Sequence, residues 1–124
     1  MSGTILIVDD EADLADSCAR LLRRRGWQVE TVTTRDAALS AVEGHRPALA
    51  IVDRQLPDGD GLDVIRAAQG AGTPVIVVTG FTSAGVRQRA LEEGAAGFLG
   101  KPFSTRALLD LVASIVGEPG GGPR

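Results

Sequence analysis

The stretch "TILIVDDEADL", residues 4 to 14, places an aliphatic run directly before three acids. The run from Ile5 to Val8 is typical of a strand that is covered on both faces of a parallel sheet. Asp9, Asp10 and Glu11 stand where that strand would end. Two adjacent aspartates after a buried strand favour a cationic partner, most simply a metal ion.

The composition is that of one globular domain. The chain has 124 residues, of which 44% are hydrophobic, and a net charge of -3. This length suffices for a core, and this charge gives no reason to expect a nucleic-acid or membrane surface. The single cysteine, Cys18, excludes an internal disulfide. Because no apolar run approaches the roughly 20 residues of a membrane helix and no secretory pattern is visible, we expect a cytoplasmic protein.

Four more short apolar runs follow the first one. They cover residues 27–32, 48–52, 74–78 and 97–99. The run "WQVETV" at 27–32 alternates and favours a half-exposed edge strand, whereas those at 48–52 and 74–78 are nearly continuous in apolar residues. Amphipathic segments separate the runs. The sequence therefore predicts five β-α repeats and a doubly wound parallel sheet with right-handed crossovers.

Glycines and one serine mark the predicted helix ends. Four glycines fall just past these ends: Gly26, Gly44, Gly70 and Gly94. A left-handed residue commonly terminates a helix at this position. Ser104 is placed to cap the start of the last helix. The tail "GEPGGGPR" at 117–124 predicts a flexible linker, which leaves residues 1–116 as the folded domain.

Polar residues follow the predicted strands at the sheet edge where open parallel sheets bind their ligands. Strand one ends in Asp9 and Asp10, and strand three ends in Asp53. Strand four ends in Thr79, and strand five runs into Lys101. Three aspartates held together would repel one another, and a divalent ion removes that conflict. Because carboxylate oxygens favour Mg²⁺, the sequence predicts a magnesium site at this edge.

The sequence resembles the receiver domain of two-component response regulators over about residues 3–116. The likeness rests on four segments in the family's order and spacing: "ILIVDDE", "ALAIVDRQLPDGDGLDVI", "PVIVVTG" and "GAAGFLGKPF". Each segment alone is a weak signal, but together they are very specific. The resemblance implies a flavodoxin-like (βα)5 three-layer sandwich with a parallel sheet in the order 2-1-3-4-5.

The resemblance assigns the central chemistry to Asp53. This residue would accept a phosphoryl group from a phosphohistidine on a sensor histidine kinase or a histidine phosphotransfer protein. Asp10 and Asp53 would ligate Mg²⁺ directly, with Mn²⁺ as a substitute, and Asp9 would act mainly through a bound water. The backbone carbonyl of Gln55 would supply a further ligand, so that its side chain would matter little for the metal.

The resemblance also implies how the phosphoryl group is held and sensed. Thr79 and Lys101 would contact its oxygens, and the peptide bond between Lys101 and Pro102 would be cis, which costs an X-Pro bond only about 0.5–1 kcal/mol. Thr79 would then move toward the phosphoryl group while Phe98 turns inward. Phe98 has no hydroxyl and would report this two-state change by packing, although it is equally compatible with a plain core residue.

Two positions are expected to set the lifetime of the phosphorylated form. Gln55 and Phe81 lie two residues beyond Asp53 and Thr79 respectively. They flank the path by which water would reach the phosphoryl group. Our hypothesis, which is steric, is that the bulky Phe81 restricts this water and lengthens the lifetime.

The output surface of the family would comprise parts of 83–93, 96–100 and 105–116. It would bind a downstream protein or output domain, or form a homodimer. The chain would be a stand-alone receiver or a module of a larger regulator. The sequence has no helix-turn-helix, no "GxxxxGK[ST]" loop and no kinase core, so these residues are not expected to bind DNA or to make phosphohistidine.

Two other functions compete with a signalling switch. A phosphatase of the haloacid dehalogenase type would form an aspartyl phosphate but would use a second acid two residues after the nucleophile, where this chain has Gln55. A flavodoxin-like cofactor binder would need a phosphate-binding loop after strand one, where this chain has acids. The sequence therefore favours a phospho-accepting switch rather than an enzyme.

Overall fold

A computed structural model of the chain describes residues 3–80 and 84–117. The helices and strands in these ranges are, in chain order, β1 (Thr4–Val8), α1 (Ala12–Arg24), β2 (Gln28–Val32), α2 (Arg35–His45), β3 (Leu49–Asp53), α3 (Leu62–Gly70), β4 (Val75–Thr79), α4 (Ala84–Glu92), β5 (Gly97–Gly100) and α5 (Thr105–Val116). A short antiparallel ribbon, which pairs Gln55–Leu56 with Gly59–Asp60, follows β3. The five predicted β-α repeats are confirmed.

The five strands form one parallel sheet in the order β2-β1-β3-β4-β5, which confirms the expected topology. The strand order reverses between β1 and β3, so the carboxyl ends of these two strands flank the switch point of the sheet. Val8 at the end of β1 is in register with Val52 of β3. Asp53 is in turn in register with Val78. The sequence positions after these strands therefore meet at one edge.

Two apolar layers cover the sheet, one on each face. Ile5 and Ile7 of β1 pack in the layer formed with α1 and α5. Leu6 and Val8 pack in the layer formed with α2, α3 and α4. Alternate residues of one strand thus enter different cores, which explains the continuous apolar run. Each fully buried aliphatic side chain of this kind contributes about 1.5–3 kcal/mol.

The edge strand behaves as predicted, and the lone cysteine lies in the core. The residues of β2 are half-buried or exposed, as expected for a strand at the sheet edge. Cys18 is a free thiol buried in the layer between the sheet and α1. It is a core residue, and it has no disulfide partner in the sequence.

For two of the four glycines, the prediction that they follow a helix end is wrong. Gly44 lies inside α2 and Gly70 is the last residue of α3. The left-handed residue after α2 is Arg46, with φ 44°, and the one after α3 is Gly72, with φ 81°. Arg46 precedes Pro47, and a residue before proline disfavours the helical region, which sets the end of α2. The other two glycines have positive φ and follow α1 and α4, as predicted.

The last helix begins at the predicted cap and leads into the predicted tail. The Ser104 hydroxyl accepts a hydrogen bond from the backbone N–H of Ala107 at 3.0 Å, which confirms the cap. Gly117 follows α5 with φ 74°, and residues 118–124 of the expected linker lie outside the described residues. In the described ranges, no helix has the length and apolar character needed to cross a bilayer.

Candidate functional site

Three aspartates converge at the carboxyl edge of the sheet. Asp9 and Asp10 follow β1, Asp53 ends β3, and each offers an oxygen that lies within 4.8 Å of the other two. Asp9 and Asp53 are only 5% and 4% exposed, whereas Asp10 is exposed. The structure thus places these three residues together, as the order of the strands predicts.

Local turns fix the two buried carboxylates. Oδ1 of Asp9 accepts a hydrogen bond from the backbone N–H of Glu11 at 2.9 Å. Oδ1 of Asp53 accepts one from the backbone N–H of Gln55, also at 2.9 Å. An aspartate that bonds the N–H two residues ahead stabilises a turn in its own backbone. One oxygen of each side chain is therefore held by the chain, and the other oxygen faces its neighbours.

Lys101 brings the positive charge to this cluster from the end of β5. Its Nζ lies 3.0 Å from Asp9 Oδ2, 2.9 Å from Asp53 Oδ2 and 2.6 Å from Glu11 Oε1. Burial alone would lower the pKa of this lysine, but its hydrogen bonds to Glu11, Asp53 and Asp9 raise the pKa above its ordinary value. Lys101 is therefore a fixed cation at neutral pH.

Glu11 is a site residue whose contact with Lys101 the sequence does not predict. Its carboxylate is 61% exposed and makes the shortest of the three contacts with Lys101. Glu11 is also the residue directly before α1. The position of Glu11 as the third acid of "DDE" indicates that it lies near the aspartates. Sequence spacing alone does not show that it contacts residue 101.

The charges at the site fit a divalent metal ion. Three carboxylates contact the Lys101 ammonium, and Asp10 adds a fourth carboxylate beside Asp9 and Asp53. Burial raises the pKa of Asp9, as does the nearby charge of Asp53, while hydrogen bonds from Glu11 and Lys101 oppose the rise. A bound cation would favour the ionised form of such a carboxylate. Hard carboxylate oxygens at this separation are the donor set that binds ions such as Mg²⁺ and Ca²⁺.

Thr79, the last residue of β4, lies beside the end of β3 and is fully buried. Its hydroxyl donates a hydrogen bond to Oε1 of Gln55 at 3.0 Å. The sequence predicts roles for the Gln55 carbonyl and for Gln55 in the access of water, but not this side-chain contact. The side-chain contact was missed because it depends on how the ribbon after β3 folds back over β4.

The loop after Asp53 is held by close backbone packing. The N–H of Gly61 donates to the carbonyl of Arg54 at 2.8 Å. A Cβ added to Gly61 would lie 2.4 Å from the carbonyl oxygen of Asp53, closer than real Cβ atoms approach. Glycine is required here by this contact rather than by its backbone angles. The same loop is tied by the ion pair between Arg54 and Asp60, with Nε and Oδ1 2.8 Å apart.

The loop is also attached to the start of α2. The carboxylate of Asp58 accepts hydrogen bonds from the backbone N–H groups of Arg35 and Asp36, at 2.7 and 3.3 Å. The Arg35 guanidinium in turn contacts Asp63 at 2.9 Å. These contacts hold the segment that carries Gln55 against the start of α2.

Two cavities lie next to the cluster. One of about 200 Å³ is lined by Arg54, Gln55, Asp60, Thr79, Val86 and Arg89. Another of about 340 Å³ is lined by Glu11, Leu14, Lys101, Pro102 and Phe103. Thr79 thus borders one open space and Lys101 borders the other.

The remaining predicted site residues lie outside the charged cluster or outside the described residues. Phe98 is half-buried on β5 and packs on the layer that contains α2, α3 and α4, which agrees with both a switch residue and a core residue. The peptide bond between Lys101 and Pro102 is cis. Phe81 lies outside the described residues, and its role stays a prediction.

Comparison with known proteins matches residues 5–113 to the response regulator receiver domain. The probable transcriptional regulatory protein TcrX of Mycobacterium tuberculosis is 35% identical over 103 residues, which cover 82% of this chain and 44% of TcrX. The response regulator MprA of the same organism is 36% identical over 111 residues, which cover 88% of this chain and 48% of MprA. The chain spans about half the length of these relatives.

Solved receiver structures share the fold. A signal receiver domain from Bermanella marisrubri is 37% identical, with a TM-score of 0.83 over 94% of this chain and 99% of that one. A response regulator from Burkholderia pseudomallei, solved with a phosphorylated aspartic acid, a calcium ion and citrate, is 28% identical, with a TM-score of 0.81 over 92% of this chain and 66% of that one. Fold, acidic cluster and sequence agree, and the chain belongs to the response regulator receiver domain family.

Proposed function

We propose that this receiver domain is a phospho-accepting switch in which Asp53 takes a phosphoryl group from a phosphohistidine. The observation that carries the proposal is the environment of its carboxylate. Oδ2 of Asp53 lies 2.9 Å from the Lys101 ammonium, and Oδ1 is held by the N–H of Gln55. A fixed carboxylate next to a cation, among acids that fit a metal ion, supports phosphoryl transfer more than acid-base hydrolysis.

The reaction exchanges one bond to phosphorus for another. A carboxylate oxygen of Asp53 attacks the phosphorus atom, and an aspartyl phosphate forms. The bond from phosphorus to the imidazole nitrogen of the donor breaks, and its electron pair stays on that nitrogen. Since negative charge moves onto the phosphoryl oxygens, the Lys101 ammonium would follow it from Asp53 to those oxygens.

We infer that Mg²⁺, or Mn²⁺ in its place, is the metal of this site. Asp10, Asp53 and the Gln55 carbonyl would hold it, with Asp9 acting through a water. When bound, the ion would supply positive charge that offsets the charge on the phosphoryl oxygens. The raised pKa of Asp9 supports this assignment, because burial of that carboxylate leaves its charge incompletely offset.

The signal would leave the site through Thr79 and Phe98. The Thr79 hydroxyl would donate to a phosphoryl oxygen, and Phe98 would repack on β5. The surface formed by α4, β5 and α5 would then bind an output domain, a downstream protein or a second copy of the chain. The phosphoryl donor would be a sensor histidine kinase or a histidine phosphotransfer protein. On the family resemblance, we place this exchange in the cytoplasm.

Intact-mass measurement tests the proposal. Wild type, Asp53→Asn and the matched control Asp16→Asn would be incubated with Mg²⁺ and phosphoramidate. Asp16 is an exposed acid on α1, so its variant removes a charge of the same kind. We expect one added phosphate on wild type and on the control, and none on Asp53→Asn. Equal uptake by Asp53→Asn, or no uptake by wild type, would contradict the proposal.

A further inference from the structure

One residue contacts both the proposed nucleophile and the proposed sensor. The backbone N–H of Gln55 donates to Asp53 Oδ1 at 2.9 Å. The side-chain Oε1 of Gln55 accepts from the Thr79 hydroxyl at 3.0 Å. A threonine hydroxyl has a single proton, so it donates one hydrogen bond at a time. The proton that Thr79 would offer to a phosphoryl oxygen is already given to Gln55.

We propose that Gln55 is a positioning residue that latches Thr79 in the resting state of the switch. The amide oxygen of Gln55 and the phosphoryl oxygen compete for the same proton. The bond to Gln55 must break before Thr79 can donate to the phosphoryl group, and its loss reduces the net gain from that new bond. This inference rests on the proposed function, because it requires the Thr79 hydroxyl to serve the phosphoryl group.

Hydrogen bonds and an ion pair hold the backbone around Gln55. Gln55 pairs with Asp60 in the ribbon. Asp60 Oδ1 lies 2.8 Å from Nε of Arg54 and accepts from the N–H of Leu62 at 2.9 Å. These contacts fix the base of the Gln55 side chain on both sides. The amide is therefore held over the end of β4, where the buried Thr79 hydroxyl lies.

The latch should change the affinity for a phosphoryl mimic, whereas the access of water should change the rate of phosphate loss. A neutral hydrogen bond has a modest net contribution, so a variant without the amide oxygen should bind a phosphoryl mimic about threefold to tenfold more tightly. The effect should require the Thr79 hydroxyl. Water access, in contrast, would change the rate of phosphate loss and leave the affinity for an unhydrolysed mimic unchanged.

The test is a double-mutant cycle on the binding of beryllofluoride in the presence of Mg²⁺, measured by ¹⁹F NMR. Gln55→Met keeps the length of the side chain without the acceptor, and Thr79→Val removes the hydroxyl with little change of shape. Gln28→Met is the matched control, since Oε1 of Gln28 at the start of β2 accepts a hydrogen bond from the Thr4 hydroxyl at 3.3 Å. The affinity for Mg²⁺ alone shows that each variant retains the acidic site, and Gln55→Ala replaces Gln55→Met if that variant does not fold.

We expect tighter beryllofluoride binding by Gln55→Met than by wild type, no change for Gln28→Met, and no effect of Gln55→Met in the Thr79→Val background. If wild type binds and Gln55→Met binds equally or more weakly, the latch is wrong and the proposed function stands. If the gain persists without the Thr79 hydroxyl, the effect does not pass through Thr79 and the latch is again wrong. If wild type does not bind beryllofluoride, the proposed function fails and the latch fails with it.

Discussion

Nζ of Lys101 lies 2.9 Å from Oδ2 of Asp53, across 48 positions of sequence. The two residues belong to β3 and to the end of β5, and β4 lies between these strands in the sheet. The lysine side chain therefore reaches past one strand to the carboxylate. Both side chains are largely buried, at 14% and 5% exposed. The order of the strands brings this ion pair together, and the pair lies at the centre of the proposed site.

Replacement of the lysine should separate metal binding from phosphoryl transfer. Lys101→Met removes the cation that contacts Asp9 and Asp53. We expect tighter Mg²⁺ binding by calorimetry, because the ammonium no longer competes for the carboxylate oxygens. We expect phosphorylation to slow by about tenfold or more, since charge on the phosphoryl oxygens loses its partner.

The control for this experiment is Arg106→Met, which removes an exposed cation that faces Asp110 on α5. It should leave both quantities near the wild-type values. Unchanged phosphorylation by Lys101→Met would show that the lysine does not take part in the transfer.

Gly61 should tolerate no side chain, because its Cβ would meet the backbone of Asp53. Gly61→Ala forces this backbone to shift, and we expect a loss of about 1–3 kcal/mol in the free energy of unfolding. Gly44→Ala is the control. Gly44 lies inside α2 with nothing within 4 Å of an added Cβ. The variant should therefore increase the free energy of unfolding by about 0.5–1 kcal/mol. Urea unfolding measures the free energy of unfolding of wild type and both variants. A value for Gly61→Ala equal to that of wild type would contradict the packing described for Gly61.

Asp58 should make stability depend on pH through its contacts with α2. Hydrogen bonds from the backbone N–H groups of Arg35 and Asp36 hold the pKa of Asp58 below its ordinary value of 3.8. A lowered pKa in the folded state gives stability that is present above the unfolded pKa and is lost as the pH falls through the folded one. The urea midpoint of wild type should therefore exceed that of Asp58→Asn at pH 6.

This difference should begin to shrink as the pH falls to the ordinary value of 3.8 and should continue to shrink below it, because the folded Asp58 carboxylate takes up its proton only below that value. A difference that stays constant over this range would mean that the charge of Asp58 does not act on α2. Asp110→Asn, on the exposed surface of α5, provides the comparison for an unrelated acid.

Phe81 remains a prediction from the sequence alone. Phe81→Ala should release phosphate several-fold faster than wild type, because a smaller side chain would admit water to the aspartyl phosphate. The measurement is the decay of the phosphorylated mass after the phosphodonor is removed. A rate equal to or slower than that of wild type would refute the steric hypothesis.

The sequence predicted the fold and the principal acids because both follow from local patterns. Apolar runs fix the strands, and the parallel topology then brings the residues after β1 and β3 to one edge, as it does for Asp9 and Asp53. The contacts of Glu11 with Lys101 and of Gln55 with Thr79 were not predicted. They join side chains from separate loops, and no periodicity encodes how such loops fold over one another.

The most direct measurement of the central claim uses Lys101, which is the only lysine in the sequence. A chain labelled with ¹³C-lysine has one lysine side-chain signal in an NMR spectrum. We predict that this signal shifts when Mg²⁺ is added and shifts again with beryllofluoride. Its titration should also lie above the ordinary pKa of 10.5. A signal that titrates like free lysine and responds to neither addition would contradict the convergence of the ammonium with the aspartates.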